Sequence, residues 1–485
     1  MTHQATTLTR VHADADQSAL ERAFQDIRES QDVREDFSAE ALAEAEAAAQ
    51  NPSLPEEDLT AIEFITIDPP GSMDLDQAMH IEAIDDTSEG AFRVCYAIAD
   101  VPAFVAPGGA LDAEVRLRGQ TIYCPDKRVA LHPPVMSEAA ASLLPDETRP
   151  AYVWNIVLDE HGETLSAIVA RAMVRSRRRY TYTEVQQAVD EGNGESTLML
   201  LRDVGRLLVA QESARGGASL PMPEQEVEES DGTYELRLRP LLEAEDWNAQ
   251  ISLLTGRSAA DLMIAGKVGI LRTMPPPRQD AIDRFRMQVL GVDLPWDESV
   301  SYGDFLRGLD WANPVHLAII HAATSLFRGA GYTPFNGVVP EETEQAAIGA
   351  PYAHVTAPLR RLIDRFGLVV CAALSAGEEV PEWVMNSLEE LPDLMSESGR
   401  RANSVDRACI DAVEAAVLQD RVGQEFAASV VEETSRDDLI IQVTDPVVLA
   451  YCDGDAELGE RITVKLTLAD LNARKVRFKV APQVG

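Results

Sequence analysis

Three aspartates crowd one turn early in the chain, and few local structures tolerate that. Ala61-Ile62-Glu63-Phe64-Ile65-Thr66-Ile67 is rich in β-branched residues and predicts a strand. Pro69-Pro70-Gly71 then forces a turn, and another strand-like run follows. Asp68, Asp74 and Asp76 therefore fall on or beside one loop between two apolar strands. Like charges packed this closely repel unless a cation lies between them. Oxygen-only ligands point to a hard ion, Mg²⁺ or Mn²⁺, rather than zinc. An EF-hand is excluded, because no glycine or glutamate falls at the required offsets. An acidic surface turn of solvated carboxylates competes with this reading. A bare Asp-Leu-Asp also suits a metal-dependent glycosyl- or nucleotidyltransferase. On spacing alone, the stretch predicts a metal site acting on phosphate.

Net charge pulls the other way. The 485 residues carry 42 Lys and Arg against 81 Asp and Glu, a net −39 and the wrong sign for a generic nucleic-acid binder. A focused basic channel can still hold a strand inside an anionic molecule, so the positions of the arginines decide. Arg171, Arg175, Arg177, Arg178 and Arg179 follow one another with no acid between them. They read equally well as a solvated face or as a wall tracking phosphates. Cys95, Cys124, Cys371, Cys409 and Cys452 show no metal-type spacing, which predicts reduced thiols. The first residues lack a basic-then-apolar leader, and no apolar run is long enough to span a bilayer. A cytoplasmic protein with no membrane partner is expected.

In chain order, residues 1–60 are acid- and alanine-rich. Leu20, Phe24 and Ile27 share one helical face, and Ser38 is placed to cap a helix over Ala39 to Gln50. Short helices, compatible with a helix-turn-helix, are expected. Residues 61 to about 175 read mainly as strands, including Phe92 to Val101. Tyr182 to Val209 is helical, Gly216 to Gly232 a loop, and Tyr234–Leu238 a strand. Trp247 to Leu271 reads as one long apolar helix stopped by Pro275-Pro276-Pro277. His316 and His321 are five apart, off a shared helical face, and read as ordinary helix residues. After residue 421, strands at Phe426–Val431, Leu439–Val443, Arg461–Leu466 and Lys475–Val480 fit a small OB barrel.

A second informative stretch is Tyr352-Ala353-His354-Val355-Thr356-Ala357-Pro358-Leu359-Arg360-Arg361-Leu362-Ile363-Asp364-Arg365. Pro358 suits the first turn of a helix, which would set Arg360 and Arg361 near its start. A helix N-terminus and a guanidinium fork can address one phosphate, although ordinary surface arginines fit the same residues.

Together these stretches resemble the ribonuclease II family, whose core is the RNB domain. Thr66-Ile67-Asp68 with Asp74-Leu75-Asp76-Gln77-Ala78 is similar to the family's T-I-D and D-x-D-D-A, Gln77 replacing the fourth aspartate. Ala97-Ile98-Ala99-Asp100-Val101 matches A-I-A-D-V, and Tyr352 to Asp364 resembles Y-x-H-x-T-S-P-I-R-R-Y-x-D. Gly266 stands where relatives have an asparagine, and Asp406 where they commonly have a glutamate. The resemblance implies an α+β protein: a short helical domain over residues 1–60, an RNB catalytic domain of mixed and antiparallel sheet with helices over 61–420, and an S1-like OB barrel over 421–485. It implies a Mg²⁺-dependent (Mn²⁺ also serving) hydrolytic 3′→5′ exoribonuclease that degrades single-stranded RNA to nucleoside 5′-monophosphates as a monomer. Asp68, Asp74, Asp76 and Gln77 would hold metal, with Asp76 and Arg360 catalytic. Tyr123 would stack on the terminal base, and Arg360, Arg361, Arg177 and Arg178 would contact RNA. A catalytically weakened RNA-binding relative and an unrelated metal-dependent nucleotidyltransferase are the rival expectations.

Overall fold

The computed structural model describes residues 9–10, 14–84, 90–218, 224–230, 233–239, 242–297, 299–310, 312–434 and 438–482. A two-residue strand, β1 (Thr9–Arg10), precedes α1 (Asp14–Ser30) and α2 (Ala39–Gln50). The Ser38 side chain caps α2 by accepting a hydrogen bond from the Ala41 amide. The two helices bury their apolar faces in different places. Leu20, Phe24 and Ile27 of α1 enter a core shared with the C-terminal barrel, whereas Ala41 and Ala45 of α2 belong to the main core.

Five strands close the first barrel: β2 (Phe64–Ile67), β3 (Gln77–Ala83), β4 (Phe92–Ala99), β7 (Thr148–Leu158) and β8 (Thr164–Tyr180). Four of the five seams are antiparallel. The closing seam, β2 against β8, is parallel and pairs Ile67 with Tyr180. The barrel is filled by Phe64, Tyr96, Ile98, Trp154 and Ile156, all fully buried. Between β4 and β7 lie α3 (Ala110–Arg118) and a hairpin of β5 (Ile122–Tyr123) and β6 (Arg128–Val129).

Beyond the barrel come α4 (Tyr182–Asp190), with a Thr181–Glu184 capping box, and α5 (Ser196–Ala214). The stretch expected to be a loop holds a strand, β9 (Glu224–Ser230), which pairs with β10 (Thr233–Arg239). The long apolar helix, α6 (Glu243–Gly266), ends earlier than its hydrophobic run suggests. Lys267 takes a left-handed conformation (φ 57°), and β11 (Val268–Thr273) leaves in a new direction. The proline triplet therefore follows a strand. Gly266 packs so closely on Leu374 that an added Cβ would lie 2.4 Å from its Cδ2, so an asparagine there would require the Leu374 side chain to move.

The remaining helices are α7 (Gln279–Gly291), α8 (Tyr302–Arg307) and α9 (Pro314–Ala323). Strand β12 (Gly331–Asn336) pairs with β11, and β13 (Glu344–Gln345) with β14 (Ala350–Pro351). Then follow α10 (Leu362–Ala376), α11 (Glu382–Met385) and the 28-residue α12 (Leu391–Leu418). Strands β15 (Glu425–Glu433), β16 (Asp438–Thr444), β17 (Val447–Asp453), β18 (Arg461–Asp470) and β19 (Lys475–Val480) close the second barrel. Helix α12 joins the two halves. Leu391 and Met395 pack into the main core, and Val405, Cys409 and Val413 into the core shared by α1 and the second barrel. Among the described residues, no helix is long and apolar enough to cross a membrane.

Candidate active site

The acidic loop is pinned from both ends. Past β2, the Asp68 amide donates to the Tyr180 carbonyl (3.0 Å), so the β2–β8 seam runs one residue into the loop. The turn closes with Ser72 N–H to Pro69 O (3.2 Å), and Gly71 supplies the left-handed conformation (φ 81°) that a side chain would resist. Leu75 is buried as an anchor. Its amide donates to Ser142 Oγ (2.9 Å), and Ser142 Oγ donates to the Met73 carbonyl (2.6 Å). Asp76 is thereby turned inward immediately before β3 begins.

There it meets the second sequence motif. Asp76 Oδ1 accepts a hydrogen bond from the Leu359 amide (2.7 Å), and its Oδ2 lies 3.4 Å from Arg360 Nε. Arg360 is half exposed, so one edge of its guanidinium remains available to a ligand. Thr121 N–H donates to Arg360 O (3.0 Å) and Leu362 N–H to Gly119 O (2.9 Å), which ties the approach to β5 onto this motif. Tyr123, 54% exposed, is thus presented near the carboxylates. The motif itself rests on α6. An added Cβ on Gly256 would lie 2.1 Å from Tyr352 Cε2, so only a glycine permits this approach.

The carboxylates are electrostatically frustrated. Burial, reinforced by the charge of Asp74, pushes Asp68 up to about 7, and its buried Oδ2 has no hydrogen-bond partner. Burial also pushes Asp76 up to about 7, against the opposing pull of Arg360 and the Leu359 amide. Asp74 is ion-paired with Arg128, which also binds Glu138. Among the described residues, no three acidic, histidine or cysteine side chains are already disposed as a cation cage. The donor set nevertheless fits a hard cation: acceptor-only oxygens, one of them orphaned, with two guanidinium groups, of Arg128 and Arg360, balancing the charge. Asp68, Asp74 and Asp76 are the residues that would hold it.

Other expectations are corrected by the geometry. Gln77 is engaged at both ends of its amide. Its Nε2 donates to Thr356 O (2.6 Å), and its Oε1 accepts from Tyr96 OH (2.6 Å). It braces the two motifs against each other, with its oxygen given to a hydroxyl rather than offered to a metal. Arg361 is locked in a fork on Asp364, with Nε to Oδ2 at 2.5 Å and Nη2 to Oδ1 at 2.8 Å, so the edge that would fork a phosphate is already spent on a carboxylate. Asp364 Oδ1 also accepts from the Ala357 amide (2.7 Å), which makes this pair a clamp on the motif's backbone. Pro358 opens a turn, and α10 begins only at Leu362 with Arg361 at its cap. The arginine run on β8 is largely compensated: Arg171 pairs with Asp100, Arg175 with Asp146, and Arg177 donates to Thr60 O (2.7 Å). Arg178 stacks over Tyr180 at 4.3 Å. Arg179 is the member of the run that reaches the site, donating to Ser72 O (2.5 Å) and acting on Asp68. Arg128 and Tyr96 carried no separable signal in the sequence, because each gains its role only through a partner elsewhere in the chain, Asp74 and Gln77.

Residues 56–371 match the RNB domain, and residues 424–481 match the RNase II-type exonuclease C-terminal S1 domain. The chain belongs to the RNB-domain family. It is 25% identical to the probable exosome complex exonuclease RRP44 of Caenorhabditis elegans over 353 residues, 69% of this chain and 36% of that protein. It is 27% identical to ribonuclease R of Aquifex aeolicus over 391 residues, 74% of this chain and 52% of that protein. The chain thus spans about a third to a half of the length of these curated relatives. The apo form of Mycoplasma genitalium RNase R superposes with a TM-score of 0.84 at 18% identity, covering 96% of this chain and 78% of that one.

Proposed function

We propose that the protein is a divalent-cation-dependent 3′→5′ exoribonuclease that acts on single-stranded RNA and releases nucleoside 5′-monophosphates. The observation that carries this reading is the meeting of Asp76 with Leu359, 283 residues further along the chain, and with the adjoining Arg360. An acidic metal site and an uncommitted guanidinium edge then face one space, as phosphodiester hydrolysis requires. The likeness to exonucleases named RRP44 and ribonuclease R supports the same reading. When bound, Mg²⁺ or Mn²⁺ supplies Lewis-acid stabilisation of the phosphate and a more acidic water.

This chain's residues do the rest. Asp68, Asp74 and Asp76 hold the cation. Arg360 turns its free edge toward the charge that develops on the phosphoryl oxygens. Tyr123 offers its exposed ring to the terminal base, and stacking of this kind accepts any base. Asp364 and Arg361 keep the Arg360 backbone in register. The test is a 5′-labelled single-stranded RNA incubated with and without Mg²⁺. A ladder of shortened 5′-labelled products that appears only with the ion supports the reading. RNA that is bound but never shortened, at any Mg²⁺ or Mn²⁺ concentration, supports an RNA-binding relative without catalysis.

A further inference from the structure

His132 lies just past β6, is 1% exposed, and turns its ring onto the arginine motif. Its Nδ1 stands 3.0 Å from the Leu359 carbonyl, 227 residues further along the chain. A carbonyl only accepts, so Nδ1 carries the proton and donates it. Burial pushes the imidazole down to about 4, against the pull of this hydrogen bond, so the ring is neutral at about pH 7. The segment that bears the ring is itself held. The His132 carbonyl accepts from Ser137 Oγ (3.2 Å), and the Leu131 amide donates to Thr121 Oγ1 (3.0 Å). Leu359 and Arg360 are thereby fixed at every backbone polar group. Leu359 N–H donates to Asp76 Oδ1 (2.7 Å), and Leu359 O accepts from His132. Arg360 N–H donates to Ala357 O (3.3 Å), and Arg360 O accepts from the Thr121 amide (3.0 Å). Thr121 precedes β5 and His132 follows β6, so the two feet of the hairpin that carries Tyr123 grip adjacent carbonyls of the motif.

We propose that His132 is a positioning residue for phosphodiester cleavage: by donating to the Leu359 carbonyl it fixes the peptide that joins Leu359 to Arg360, and so holds the Arg360 guanidinium against Asp76. The assignment rests on the nuclease reading. That peptide lies between the amide that binds Asp76 and the side chain that turns toward the phosphate. Without the imidazole it is held from one side only, by Ala357, and a rotation there swings the guanidinium away from the carboxylate. A displacement of about 1 Å can cost about 10²-fold in rate while every catalytic group is still present. A histidine kept only for packing would stabilise the fold and leave the rate per folded molecule unchanged.

The test compares two replacements of nearly equal shape in the full chain, His132→Leu and His132→Asn. Asparagine sets an amide nitrogen where Nδ1 lies, and leucine sets a methyl group there. With saturating single-stranded RNA and Mg²⁺, single-turnover cleavage by His132→Leu should fall by about 10- to 100-fold. RNA affinity, read by fluorescence anisotropy, should change little, and His132→Asn should recover most of the rate. In an Arg360→Ala background the His132→Leu change should cost much less, because the group that it positions is gone. A His132→Leu rate equal to wild type, an equal fall in both variants, or a cost undiminished beside Arg360→Ala overturns the assignment and leaves the nuclease reading standing. A wild type that never shortens RNA overturns both. Where a variant fails to fold, spectra of the wild type with ¹⁵N-labelled histidine decide. A proton on Nδ1 of His132 supports the assignment, and a bare Nδ1 overturns it.

Discussion

The hydroxyl of Tyr96 donates a 2.6 Å hydrogen bond to the amide oxygen of Gln77, whose nitrogen in turn donates to the Thr356 carbonyl. The residue that departs from the family's four aspartates is therefore a strut between the acidic loop and the arginine motif. Gln77→Asp would strand the Thr356 carbonyl without its donor and add a charge beside Asp76. A loss of stability of about 1–3 kcal/mol is expected, with no fall in the Mg²⁺ concentration needed for half-maximal cleavage. A clear shift of the Mg²⁺ activation curve to lower concentration would falsify the strut and return Gln77 to the metal.

Stability should depend on pH through Asp68 and Asp76. Both are raised from 3.8 to about 7 in the folded protein, so the native state holds these protons more tightly than the unfolded chain. The contribution is fully present below about pH 4 and is lost as pH rises to about 7. In EDTA, the melting temperature should therefore fall across that window, and Asp76→Asn should flatten the fall. Above about pH 7, added Mg²⁺ should raise the melting temperature of the wild type by more than it does near pH 5. A Mg²⁺ effect equal at both values would count against the aspartates as its ligands.

Asp76→Asn keeps an oxygen for the Leu359 amide but removes the charge. Cleavage should fall by about two to three orders of magnitude while RNA affinity, measured by fluorescence anisotropy, stays nearly the same. Comparable cleavage by mutant and wild type would remove Asp76 from the mechanism.

Arg360→Ala and Tyr123→Ala should separate chemistry from binding. Loss of the Arg360 guanidinium should lower the single-turnover rate at saturating RNA by about 10²-fold, more than it weakens binding. Loss of the Tyr123 ring should weaken binding by about 1–3 kcal/mol and leave the saturated rate little changed. If Arg360→Ala changes affinity alone, Arg360 is a positioning residue.

Arg361→Ala tests the clamp. Asp364 is fully buried, and Arg361 is the one cation ion-paired with it among the described residues, so its removal leaves that charge uncompensated. A stability loss of about 3 kcal/mol is expected from unfolding in urea. Arg361→Lys should restore only part, because an ammonium cannot repeat the fork. A variant as stable as wild type, with RNA affinity reduced instead, would make Arg361 an RNA contact.

What could be read ahead of the structure was what lies close in sequence. Asp68, Asp74 and Asp76 share one loop, and Ser38 caps the helix that its position predicts. The face of Leu20, Phe24 and Ile27 was visible, but not the core that it covers, because that core is made of α12 and strands near the other end of the chain. The closing of β2 on β8 is a parallel pairing across more than a hundred residues, which no local pattern announces. Helix α6 was overextended because Val268 to Leu271 continues its apolar run, and the left-handed break falls on a lysine. Arg361 read as a ligand for RNA because its motif neighbours Arg360. Only the 2.5 Å contact with Asp364 separates a clamp from a contact.

The docking of α1 on α12 and the second barrel bears on how the molecule is made. Leu20, Phe24 and Ile27 leave the ribosome long before Val405, Val413 and Phe478, with which they form one core. Until then the oily stripe of the first helix has no native place to go, and the main core around Trp154 can be complete before it is covered. Completion of this core is thus a long-range closure, in which strands of the second barrel lock α1 down. Chains stalled before that point would expose the stripe to chaperones and proteases, a quality check that a simple string of independent modules would lack.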